Sequence, residues 1–103
     1  MSADDLIKIR KDNTAVRASK LLEPYVDKWM TVTNKLTEVE LKPAVGDYKL
    51  RAILGSYQVR AYFREEWTDR LSTISLGSTV TVRGKVQSVH ATLGVELSEC
   101  ELL

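Results

Sequence analysis

The sequence predicts a mainly β protein: a small barrel of five strands, a helix between the third and fourth, and a helical arm over residues 1–24. Three observations predict it. Tyr48 to Phe63 alternates apolar and polar residues at period two around Gly55-Ser56, the pattern of an antiparallel hairpin. Val32-Thr-Asn-Lys-Leu-Thr-Glu-Val39 is echoed by Val82-Arg-Gly-Lys-Val-Gln-Ser-Val89, with Asn34 matching Gly84 and Lys35 matching Lys85. Asn and Gly best tolerate positive φ, so both strands are expected to bend at the same place, as a small closed sheet requires. Beyond the arm, helical spacing recurs at Trp67, Leu71 and Ile74, between the third and fourth strands.

In chain order, Ser2 can cap a first helix, with Asp4 and Asp5 at its positive end. Leu6, Ile7 and Ile9 supply its apolar stripe, and Asp12-Asn13-Thr14 reads as a break with a new cap. Ala15, Val16, Ala18, Leu21 and Leu22 continue at helical spacing until Pro24, which disfavours helix at Glu23. The Lys and Arg residues between these positions read as a solvated face. Strand one is expected over Trp29–Leu41. Its inward set shifts by one residue after Asn34, as at a β-bulge. Lys42-Pro43-Ala44-Val45-Gly46-Asp47 has loop chemistry. In the hairpin, Tyr48, Leu50, Ala52 and Leu54 face in, with Tyr57, Val59, Ala61 and Phe63 opposite. Gly55-Ser56 fits a two-residue turn. A helix follows within Arg64–Leu76, and Gly77-Ser78 ends it. Thr79–Val89 is strand four, His90–Gly94 a turn, and Val95–Leu103 strand five, whose inward set also shifts by one, to Cys100 and Leu102.

A chain of 103 residues, 44% apolar, is expected to be one domain, with the barrel over 25–103. Fifteen basic against 14 acidic residues leave a net charge of +1. No global field then favours nucleic acid or membrane, and a basic site must come from placement. A lone cysteine, Cys100, cannot form an internal disulfide. The start, Met-Ser-Ala-Asp-Asp-Leu, has acids where a signal peptide has lysines, and no long apolar run follows. The expected compartment is the cytoplasm, without a membrane.

Five strands with one helix between the third and fourth is the element order of an OB (oligonucleotide/oligosaccharide-binding) barrel. Asp27-Lys-Trp-Met-Thr-Val-Thr-Asn34, Leu76-Gly-Ser-Thr-Val-Thr-Val-Arg-Gly-Lys-Val86 and Val95-Glu-Leu-Ser-Glu-Cys-Glu-Leu102 carry a resemblance. They are similar to the tRNA-anticodon-binding-domain-like group of small bacterial OB proteins. There, Tyr-x-Gly-Lys leads into strand one and Gly-x-x-Val-x-Val-x-Gly builds strand four. The resemblance covers residues 25–103. Asp27 and Asn34 stand where that pattern usually has glycine. It implies the fold; anticodon recognition is not carried over, because no synthetase domain accompanies the barrel.

The resemblance and the element order place a binding surface on the outer face of strands two and three. The outward residues there are Lys49, Arg51, Ile53, Gln58, Arg60 and Tyr62, with Arg83 and Lys85 of strand four extending the charge. Cations neutralise phosphates and a tyrosine ring can stack on a base. No acid lies among the outward positions of these two strands. The expected function is therefore a non-enzymatic module that binds single-stranded DNA or RNA through Lys49, Arg51, Gln58, Arg60, Tyr62, Arg83 and Lys85. The alternative is a protein-interaction or self-association module working through the arm. No catalytic set, cofactor motif or metal-ligand spacing is present in the sequence. Cys100 reads as a small core residue, His90 as incidental, and Glu65, Glu66 and Asp69 as complements to a helix dipole. Trp29, Tyr48 and Trp67 read as packing aromatics, with Trp67 closing one barrel end.

Overall fold

The arm begins with a capping box. Ser2 Oγ accepts from the Asp5 amide at 3.2 Å while the Asp5 carboxylate accepts from the Ser2 amide at 3.1 Å. The computed structural model describes residues 2–45 and 47–103, and in it this cap starts α1 (Ala3–Asp12). Asn13 closes α1 by donating to the Ile9 carbonyl at 2.9 Å, and Thr14 caps α2 (Ala15–Leu22). A 3-10 turn over Glu23–Tyr25, containing Pro24, leads to the barrel. The break falls where the second cap was expected. The arm packs on its own barrel: Ala3, Leu6 and Leu22 join the main core, and Arg10 Nε donates to the Val89 carbonyl at 3.0 Å.

The strands are β1 (Trp29–Val45), β2 (Tyr48–Leu54), β3 (Val59–Phe63), β4 (Thr79–His90) and β5 (Gly94–Leu102). They close in the order β1-β2-β3-β5-β4; among the described residues the β3–β5 pair is parallel and the others antiparallel. A 3-10 turn at Glu65–Trp67 and the short α3 (Thr68–Ser72) stand between β3 and β4. Trp67 packs edge-on against the fully buried Phe63, ring centroids 6.1 Å apart, as an end plug would. Inward side chains of all five strands form one core, from Val32 and Leu36 through Leu50, Leu54, Phe63 and Val82 to Leu97 and Cys100.

Both expected register shifts occur. In β1 the register with β2 slips between Leu36 and Glu38, and the Thr37 hydroxyl donates to the Ile53 and Gly55 carbonyls at 3.0 and 3.1 Å. In β5 it slips at Glu99, a non-glycine residue at φ 52°. The reason expected for the β1/β4 echo does not hold: neither Asn34 nor Gly84 has positive φ. Gly84 is needed for close approach instead. A Cβ there would lie 2.6 Å from Cys100 Sγ and 3.0 Å from Leu97 Cβ.

Two turns differ from expectation. β1 continues through Lys42–Val45, where a loop was expected, because pairing with β2 resumes at Val45–Tyr48 after an irregular stretch around Pro43. Gly46 lies outside the described residues. The β2–β3 turn holds four residues, Gly55 to Gln58, with Gly55 at φ 59° and Tyr57 at φ 61°. Tyr57 is therefore in the turn and β3 begins at Val59.

Candidate nucleic-acid interface

Period-two alternation puts Arg51, Ile53, Arg60 and Tyr62 on the outside of β2 and β3. Outward does not mean exposed here. β3 is buried along its whole length, with Arg60 at 8% and Tyr62 at 4% exposure, and Ile53 is buried as well. The neighbouring strands supply the cover. Cross-strand pairing sets Glu40 of β1 beside Arg51 and Glu96 of β5 beside Arg60. Arg51 Nη2 grips both carboxylate oxygens of Glu40 at 2.7 and 2.8 Å. Glu40, and then the Tyr62 hydroxyl, hold the Arg51 guanidinium above its ordinary pKa. Arg60 Nη2 lies 3.2 Å from Glu96 and its Nε donates to the Leu93 carbonyl at 3.1 Å, tying the β4–β5 turn down. Gln58 accepts from Asn34 at 2.7 Å and donates to Asp4 of the arm at 2.9 Å.

Most of the expected basic face is thus engaged within the fold. Of its five β2–β3 residues, only Lys49 is exposed. Arg51, Gln58 and Arg60 are engaged within the fold, and Tyr62 is covered. The acids that neutralise this face come from β1 and β5, so the outward positions of β2 and β3 alone could not reveal them.

Arg83 and Lys85 have different surroundings. They stand on the outer face of β4, paired across to Thr31 and Trp29 of β1. Trp29 is 46% exposed, contrary to its expected packing role. The Arg83 guanidinium lies over its ring at 4.2 Å from the centroid, and the Lys85 ammonium at 5.3 Å. Arg83 also meets Glu101 at 2.9 Å. The row continues around the barrel: Lys85 pairs with Ser98, and Ser98 lies one residue beyond the Ala61–Leu97 pair, beside Tyr62. Beyond Trp29 the outer face carries Thr31, Thr33, Lys35, Thr79 and Thr81. The threonines are short, and the ring keeps 46% exposure with Arg83 and Lys85 over it.

At the end of this row sits a bonded cluster missed by the sequence reading. The Tyr48 hydroxyl donates to Glu99 at 3.0 Å and accepts from the Glu99 amide at 3.2 Å, satisfying the donor left by the β5 bulge. Arg64 donates to the same carboxylate through Nε at 3.0 Å and also through Nη2, and its guanidinium lies over the Tyr48 ring at 5.2 Å. Arg64 and Tyr48 hold the Glu99 carboxyl below its usual range. The one sequence signal was the shifted inward set at Cys100, which marks the bulge but not its partners.

Burial pushes the Cys100 thiol up to about 12, so it is not a nucleophile at neutral pH. The His90 ring bonds the Ser88 hydroxyl at 3.1 Å. Among the described residues no group of three or more His, Cys, Asp and Glu could hold a metal, and no helix is long and apolar enough to cross a membrane.

No family description matches the chain, and no curated protein does. Among solved structures it is similar to a Klebsiella pneumoniae protein called a "putative nucleic acid-binding lipoprotein". The TM-score is 0.72 at 18% identity, over 99% of this chain and 88% of the other. At that identity the likeness shows the fold: a mainly β, closed five-stranded barrel with an N-terminal arm and a helix between strands three and four.

Proposed function

We propose that this protein is a non-enzymatic module binding single-stranded nucleic acid, with the strand crossing the outer face of β1 and β4 at Trp29, Arg83 and Lys85. One observation carries the reading: an exposed indole with two cations over it, on a face of threonines and Lys35. An indole stacks on any base, and the cations serve the adjoining phosphates. The name given to the Klebsiella pneumoniae protein supports the same class of ligand.

Fluorescence anisotropy with a labelled octanucleotide at low salt tests it. Trp29→Ala should weaken binding by about fivefold or more, since stacking contributes about 1–3 kcal/mol per base. Two phosphate contacts should give a log–log salt slope of about −1.4. No binding at high micromolar protein, or binding indifferent to Trp29, overturns the proposal.

A second reading, a protein-interaction or assembly module, rests on Val16 and Leu21, apolar and exposed on α2 although the arm is docked. Light scattering of wild type and of Val16→Asp/Leu21→Asp separates the two readings. A dimer that the double substitution dissociates supports assembly; a monomer in both counts against it.

A further inference from the structure

Resting on the binding reading above, we infer that the groove beside Lys85 is a base pocket, selective for bases carrying an exocyclic amino group. The groove has a volume of about 390 Å³, and Tyr48, Tyr62, Lys85, Gln87, Ser98 and Asp27 line it together with Glu96 and Glu99. It continues the row that starts at Trp29, so a strand stacked on the indole reaches it next.

Its walls are organised in advance. Tyr48 and Tyr62 stand with centroids 6.0 Å apart at 50°, and the half-buried Tyr48 ring gives the groove an aromatic edge. Asp27 and Glu99, two non-glycine residues at positive φ, both line it. Residues are held in such conformations only where the surroundings over-determine them. Gln87 Nε2 donates to Asp27 Oδ1 at 3.3 Å, which leaves Asp27 Oδ2 and the Gln87 carbonyl without a partner among the described residues. Ser98 is only 8% exposed, opens on the groove, and its hydroxyl has no hydrogen-bond partner among the described residues.

The lining also selects the part of the strand that enters. Glu96 and Glu99 are paired with Arg60 and Arg64, so Asp27 is the lining carboxylate that no cation holds among the described residues. The acceptors that no arginine holds are Asp27 Oδ2 and the Gln87 carbonyl, side by side on one wall. Amino groups of cytosine, adenine or guanine donate to such a wall. The carbonyl oxygens that thymine and uracil present there would leave acceptor facing acceptor.

The test is anisotropy with deoxycytidine, deoxyadenosine and deoxythymidine octamers, repeated with cytidine and uridine octamers, on wild type and Asp27→Asn. Asparagine keeps the left-handed turn accessible and removes the charge. The cytosine and adenine strands should bind about tenfold tighter than the thymine strand, the discrimination of one good base contact. Asp27→Asn should reduce that preference to twofold or less, with unchanged thermal unfolding. Equal affinities for all bases, with Trp29 still required, overturn the pocket and leave the binding reading standing. A preference for ribose over deoxyribose that Asp27→Asn abolishes, without base preference, assigns the groove to a 2′-hydroxyl and overturns base selection. No binding by any strand overturns both.

Discussion

The outer faces of β2–β3 and β1–β4 draw on the same residue types, outward arginines and an aromatic, yet one is closed and the other open. On β2–β3, Arg51 and Arg60 lie in cross-strand register with Glu40 and Glu96, and Tyr62 is covered. On β1–β4, the row beside Trp29 holds threonines, Lys35, Arg83 and Lys85, and Arg83 meets Glu101 of β5. Charge on a barrel therefore becomes available through what the adjacent strand places beside it. The first face uses its arginines and tyrosine to hold the barrel; on the second, Arg83 meets Glu101 while the Trp29 ring stays 46% exposed.

The sharpest way to break this contrast is Arg60→Ala. Removing the buried guanidinium leaves Glu96 without its counter-ion and frees the β4–β5 turn. Loss of a buried partner should cost about 3 kcal/mol in denaturant unfolding, with binding by the folded fraction unchanged. If Arg60→Ala abolishes binding at full stability, the assignment of the two faces is reversed. Next comes Gly84→Ala, whose Cβ meets Cys100 and Leu97 inside the barrel. It should cost about 2 kcal/mol by overpacking. Tyr48→Phe removes both bonds to Glu99 and should cost about 1 kcal/mol.

Tyr48→Phe should also change the response to acid. Glu99 has a lower pKa folded than its ordinary 4.5, so the unfolded chain takes up the proton first. Its contribution to stability is full above that value and is lost as pH falls through the lower, folded one. The variant should show a shallower loss of stability below about pH 4.5, measured by urea midpoints at stepped pH. The smallest effect is expected for Arg51→Ala, about 0.5 kcal/mol, because the Arg51–Glu40 pair is partly exposed and solvent-screened.

Much of the barrel was legible in the sequence because its signals are local. Ser2 and Thr14 cap where a hydroxyl precedes a helical stripe, and the Tyr48–Phe63 alternation needs only neighbours in the chain. Even the bulges at Thr37 and Glu99 appeared, as one-residue shifts of the inward set. The candidate site was legible in part: Arg83 and Lys85 were expected at a binding surface, but Trp29 was assigned to packing. An indole beside Val, Thr and Met looks alike whether covered or bare until the opposite strand is known. The four-residue turn at Gly55–Gln58 was missed because Tyr57 takes positive φ, which a tyrosine seldom does.

By itself the sequence determined element order, the inward faces, the helix caps and the places where strands bend, since each follows from periodicity and backbone preference over a few residues. Tertiary structure alone decided which outward residues are covered. Glu40 reaches Arg51 across 11 positions, and Arg60 meets Glu96 through the parallel β3–β5 pair. Glu99 meets Tyr48 across 51 positions. Cross-strand neighbours are set by how the barrel closes, and closure is a property of the whole chain.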